Sequence, residues 1–288
     1  MTMTTLQEPT LQEKPTVPRV IDSVSPTSGT RVFRDTVAGE WIKLRTLRST
    51  YAFLVGGLGA TMLGSLILYL LIQSYDKATA ADKGNFETAD PSVVSIPFVM
   101  FFVGSIGAML ITSEFTTRSI GPGLLAVPQR RLLLGAKATV AGTAALLAGL
   151  FFASLSFASA KMLVGDRPAP INPWPVWTDA LPKVFCATII VMVTTIVAVG
   201  LGTWFRSTAS TLVTLGSLLL VAPAFAHFLP TVWQLRFGSI LLPNLIPQLA
   251  GSNHPYVLSQ GGAVAVTVGY LVLALGAGTI SFVRRDVS

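Results

Sequence analysis

The sequence predicts an all-α integral membrane protein with six transmembrane helices. It adds an N-terminal amphipathic interfacial helix and re-entrant helices between spans five and six. Three observations predict this. Six uncharged apolar runs, 51–72, 93–112, 138–160, 184–205, 211–229 and 261–283, each approach the roughly 20 residues that cross about 30 Å of hydrocarbon. Hydrophobic residues make up 51% of the 288 and charged residues only 11%, where a soluble domain carries about a quarter charged. A basic, periodic segment precedes the first run, and an apolar stretch broken by prolines precedes the last.

Residues 1–30 are rich in Thr, Pro and Glu and contain no apolar stretch. They read as a disordered cytoplasmic tail, not a secretory signal. Segment 32–49 places Phe33, Val37, Trp41 and Leu44 on one helical stripe, with Arg34, Lys43, Arg45 and Arg48 mostly elsewhere. That is the pattern of a helix in the cytoplasmic headgroup layer, with Trp41 at the interface. The plainer reading is a basic flank that only fixes topology.

The first run carries Gly56, Ala60 and Gly64 at four-residue spacing, and the third carries Ala141, Ala145, Gly149 and Ala153. Small residues at this spacing let helices approach closely in lipid. Loop 161–183 holds five prolines with Trp174 and Trp177, which suits an outer interface, and Lys161 is expected to snorkel outward. Between the fourth and fifth runs little more than 206–210 remains, a tight turn. Segment 228–262 is interrupted by Pro230, Pro243, Pro247 and Pro255 and carries Trp233, Arg236, Asn244, Gln248, Asn253 and His254. Two short helices dipping into the outer leaflet fit it; an ordinary outer loop is the alternative.

Placing the N-terminus inside puts 14 of the 20 Lys and Arg residues on the cytoplasmic side, which favours both termini in the cytoplasm of a plasma-membrane protein. The net charge of +7 then orients the chain and attracts anionic lipid rather than nucleic acid. One cysteine, Cys186, excludes a disulfide framework within the chain. No GxxxxGK[ST] or HExxH motif occurs, and His227 and His254 are the only histidines. Ser105, within Gly-Ser-Ile-Gly, lacks the flanks of a nucleophile elbow and reads as packing. The spans are nearly bare of ionisable groups, with Glu114 and Lys137 at cytoplasmic ends, which argues against ion-coupled transport. No catalytic residue, metal ligand or cofactor site is expected in this chain. A nearly uncharged pathway suits a hydrophobic or amphiphilic cargo moved by energy from another chain.

Segment 113–131, SEFTTRSIGPGLLAVPQRR, follows the second span as a polar and basic stretch suited to docking a cytoplasmic partner. Residues 40–50, EWIKLRTLRST, resemble the opening of type-2 permeases of ATP-binding-cassette exporters, actinobacterial members above all. Residues 111–115 and 126–131, ITSEF and AVPQRR, are similar to the loop after span two in that family. The resemblance covers 32–288 and departs from the family at Arg118, where glycine is frequent, and at Gly121-Pro122-Gly123. It implies a six-helix permease domain over 31–288 that pairs with a second copy or a related permease. It also implies docking on two nucleotide-binding subunits, which would hold ATP and Mg. By that resemblance Glu40, Trp41, Lys43, Arg45, Arg48, Glu114, Arg118, Arg130 and Arg131 couple to the ATPase. Trp233, Asn244 and Gln248 belong to the outer gate. The implied function is export of a drug, antibiotic or lipid-like molecule. The alternatives are a membrane sensor or assembly subunit with a permease fold, and a membrane-embedded enzyme.

Overall fold

The computed structural model describes residues 29–121, 129–252 and 254–284. Residues 1–28 of the expected N-terminal tail, Pro122, Gly123, the 126–128 stretch, Asn253 and Arg285 lie outside the described residues, whereas Gly29 and Thr30, also expected in the tail, already open a helix. Every regular element among the described residues is helical, and six helices are long and apolar enough to cross a membrane. The chain is a multi-pass membrane protein.

The spans are Arg48–Lys77, Ile96–Thr116, Arg130–Val164, Leu181–Phe205, Thr208–Ala226 and Gln260–Arg284. At 1.5 Å per residue the third span is about 52 Å long, so it overshoots the hydrocarbon. Spans two to four form the centre. In their apolar stretches 72%, 50% and 61% of residues are buried, against 33%, 22% and 17% for spans one, five and six. The three poorly buried spans leave side chains such as Leu63, Val213 and Leu273 to lipid or to a partner.

The small-residue stripes pack as their spacing predicts. Ala141, Ala145, Gly149 and Ala153 are all buried. A methyl group added at Gly149 would lie 3.1 Å from Val191 on the fourth span, so glycine permits that close approach. The fifth span bends its hydrogen-bond pattern. Pro223 has no N–H to donate, and a π-helical turn, Ser217–Val221, precedes Ala222–Ala226.

The turn between spans four and five closes with Arg206 in the left-handed region, at φ 53°, and with Ser207 accepting the Ser210 N–H. Segment 228–262 folds into Thr231–Ile240, a 3-10 turn Leu242–Asn244 and Leu245–Leu249, two short helices joined at Pro243.

Loop 165–180 differs from the expectation. Trp174 is only 4% exposed, stacked obliquely on Phe157 at 5.2 Å, whereas Trp177 is exposed as an interfacial residue would be. Lys161 is held within the fold, donating to the Trp174 and Pro175 carbonyls at 2.6 and 3.1 Å. The loop folds back onto it because a buried ammonium needs acceptors. Arg167 forks onto Asp76 at 2.9 and 2.8 Å at the same end.

Candidate functional site

Contacts between segments distant in the sequence divide the bundle into two ends. Residues 40–48, 112–116, 130–137, 203–208 and 281–284 meet at one, which is basic. Residues 76, 86–92, 161–183, 227–244 and 254–256 meet at the other.

The basic end is organised by the N-terminal helix, Gly29–Thr46. Phe33, Val37, Trp41 and Leu44 turn toward the bundle, and Leu44 is 5% exposed. Glu40 occupies the same face and is 3% exposed. Its carboxylate accepts from Lys43 and from Lys137 on the third span, each at 2.7 Å. Glu114, at the end of the second span, accepts from Lys137 at 2.7 Å and from Lys43 at 2.9 Å. The four side chains close a ring of alternating charge whose formal total is zero. Lys137 is fully buried and also reaches the Leu110 carbonyl at 3.4 Å. Partial burial pulls the Lys43 ammonium toward neutrality. The Glu40 and Glu114 carboxylates outweigh that and hold its pKa above the ordinary 10.5. The stabilisation from this raised value is complete below 10.5 and disappears only as the pH climbs through the higher folded value. Lys43 therefore stays charged across the physiological range.

This arrangement divides the residues expected at the docking face into buried and exposed groups. Glu40 and Glu114 are not surface knobs; their carboxylates are spent inside the ring, where an unpaired charge would carry a large desolvation cost. Arg130 donates to the Phe282 and Val283 carbonyls at 3.0 and 3.4 Å, capping the end of the sixth span. Trp41, half-buried, packs on the buried cluster around Leu44. Arg45, Arg48, Arg118 and Arg131 do remain exposed. Arg118 stands at φ 56°, a left-handed position that glycine adopts without strain. A cleft of about 560 Å³ opens beside the ring, lined by Lys43, Thr46, Leu47, Leu110, Ser113, Glu114, Thr117 and Ser119. Ser105 lies deeper, fully buried, donating to the Phe101 carbonyl at 2.7 Å.

The opposite end holds a cavity of about 670 Å³, within the range that suits a small ligand. The start of the second span, the end of the fifth and the two short helices surround it. Asp90 caps the short helix Pro91–Val94 by accepting the Ser92 N–H at 2.8 Å. Its other oxygen pairs with Lys183, whose ammonium also sits 5.5 Å from the Trp174 ring centre. Gln234 Nε2 and His227 Nδ1 meet at 3.2 Å, and Asn244 donates to the Gly238 carbonyl at 3.0 Å. His254 Nδ1 is buried with no hydrogen-bond partner among the described residues.

The three residues expected at the outer gate separate. Asn244 lines the cavity. Gln248 is fully buried and clips the short helices together, donating to the Ser239 and Asn244 carbonyls at 3.0 and 2.8 Å. Trp233 is 62% exposed on the outer surface and does not line the cavity. Asp90, Lys183, His227 and Gln234, which do line it, carried no motif in the sequence.

Comparison of the chain with family models, curated proteins and solved structures gives no match.

Proposed function

We propose that this chain is the membrane-spanning permease subunit of an ATP-binding-cassette exporter. It would move a hydrophobic or amphiphilic small molecule outward, with ATP and Mg held by two copies of a separate nucleotide-binding subunit. The basic end would face the cytoplasm, in keeping with the excess of Lys and Arg there. Both termini would then be cytoplasmic in a plasma-membrane protein. A second permease copy would cover part of the poorly buried first, fifth and sixth spans.

The observation that carries this reading is the closed charge ring. It ties the N-terminal helix through Glu40 and Lys43 to Glu114 on the second span and Lys137 on the third. A push on that helix from a cytoplasmic partner is thereby passed into two of the three central spans. The cleft beside the ring offers a socket, and exposed Arg45, Arg48, Arg118 and Arg131 offer charged contacts around it. A rigid ion-paired link between an interfacial helix and the bundle core is what mechanical coupling requires.

The test is purification from the native host in mild detergent, followed by measurement of ATPase activity. A stoichiometric P-loop ATPase should accompany the chain, and Arg131→Glu should lower cargo-stimulated hydrolysis without lowering the thermal midpoint. Arg131 is chosen because Arg130 caps the sixth span and its loss would perturb folding. Isolation with no ATPase under several detergents and in native nanodiscs would overturn the reading and favour a sensor or assembly subunit.

A further inference from the structure

We propose that the cavity at the end opposite the charge ring binds an amphiphile carrying a protonated amine. As the release-side site of the exporter proposed above, its role rests on that reading, but binding itself can be measured without any ATPase. The cavity walls divide by chemistry. Phe98, Leu219, Leu220, Pro223 and Leu235 supply an apolar side able to hold a hydrocarbon or ring body. The polar side is rich in acceptors. Gln234 Nε2 lies 3.2 Å from His227 Nδ1, and Asn244 gives one of its two amide N–H groups to the Gly238 carbonyl. Each amide oxygen is left without a partner among the described residues.

Charge points the same way. Lys183 is the one cation in the lining, and Asp90 neutralises it. Glu87 also lines the cavity, is exposed, and has no ion-pair partner among the described residues. Glu87, Asp90 and Lys183 together give the lining a formal charge of −1. The lining also holds donors, a second N–H on each amide and the Thr88, Ser92 and Tyr256 hydroxyls, but an anionic head there would face the Glu87 carboxylate. An ammonium offers several N–H donors and a positive charge, which complements a carboxylate and two amide oxygens. The ammonium could come from a free amine or from an aminophospholipid headgroup.

The experiment uses the full chain in phosphatidylcholine nanodiscs and reads binding of radiolabelled dodecylammonium by scintillation proximity, with empty discs subtracted. Unlabelled decylammonium should displace the label, and decyl sulfate should need about tenfold more. Glu87→Gln should weaken binding about fivefold, and Ala224→Trp, which fills the cavity from the fifth span, should abolish it. Glu87 lies on an exposed loop, so its variant reports even if Ala224→Trp fails to fold. Displacement by doped phosphatidylethanolamine would assign the ammonium to a lipid; survival of the label would assign it to a free amine. The proposal is overturned if decyl sulfate competes as well as decylammonium, or if Glu87→Gln folds and binds like the wild type. Binding without an ATPase partner would leave this site standing and sink the exporter reading; an active ATPase complex without binding would do the reverse.

Discussion

The two ends of the bundle treat charge in opposite ways. At the basic end two lysines and two glutamates pair with one another, and Lys137 is sealed from solvent. At the other end Asp90 and Lys183 pair at a cavity wall, while Glu87 and two amide oxygens remain open beside them. The first arrangement stiffens a joint, because moving any member strips another of its partner. The second holds a shape but keeps unspent hydrogen-bonding capacity for something else. The contrast separates residues that transmit force from residues that meet a ligand.

Breaking the joint should give the largest effect. Lys137→Met removes the cation that bridges Glu40 and Glu114 and leaves buried carboxylate charge behind. The expected loss is about 3–5 kcal/mol, seen as a lower thermal midpoint in detergent. Adding Glu40→Gln and Glu114→Gln to Lys137→Met removes the stranded charge and should recover much of that stability. Recovery of stability without recovery of ATPase coupling would place the ring in the coupling machinery. An unchanged midpoint in the single variant would show that the ring is not an energetic element at all.

A smaller effect is expected at the opposite end. Gln248→Leu keeps the volume but leaves the Ser239 and Asn244 carbonyls short of a donor. The expected cost is about 1–2 kcal/mol, confined to the joint between the short helices. Hydrogen exchange should accelerate over residues 239–250 and stay unchanged around Lys137. Exchange that rises equally at both ends would mean the ends are not separable units.

Much of the architecture was legible because hydropathy over 20 residues is a local signal. The spans, the stripe of Phe33, Val37, Trp41 and Leu44, and the broken segment before span six all follow from it. The charge ring was not legible as a ring, since residues 40, 43, 114 and 137 meet only through tertiary packing. Half of it was nonetheless written in helical phase. Glu40 stands seven residues after Phe33 and four before Leu44, on the inward stripe, so a buried partner was required. Lys137, at the start of an apolar run, read only as a cytoplasmic end residue because its acceptors lie on other helices. The cavity residues Asp90, Lys183, His227 and Gln234 come from four separated segments, and no spacing rule links them. Trp174 was placed at an interface by residue type, when its loop tucks inward around Lys161.

The smallest effect, and the one that separates docking from folding most cleanly, concerns two arginines in left-handed conformation. Arg118 and Arg206 have φ of 56° and 53°. A side chain there carries a penalty on the order of 1 kcal/mol that glycine avoids, partly offset by the greater freedom of glycine in the unfolded chain. Arg118 is exposed, so Arg118→Gly should leave stability unchanged or raise it by up to about 1 kcal/mol. Arg206 sits 5.2 Å from the Phe115 ring and donates to the Ser281 carbonyl at 3.4 Å. Arg206→Gly should therefore lose those contacts and gain nothing net. Thermal midpoints of the two variants, measured side by side, check the difference. If Arg118→Gly is as stable as the wild type yet loses ATPase stimulation, its side chain is a docking contact, and the strained backbone there serves the partner and not the fold.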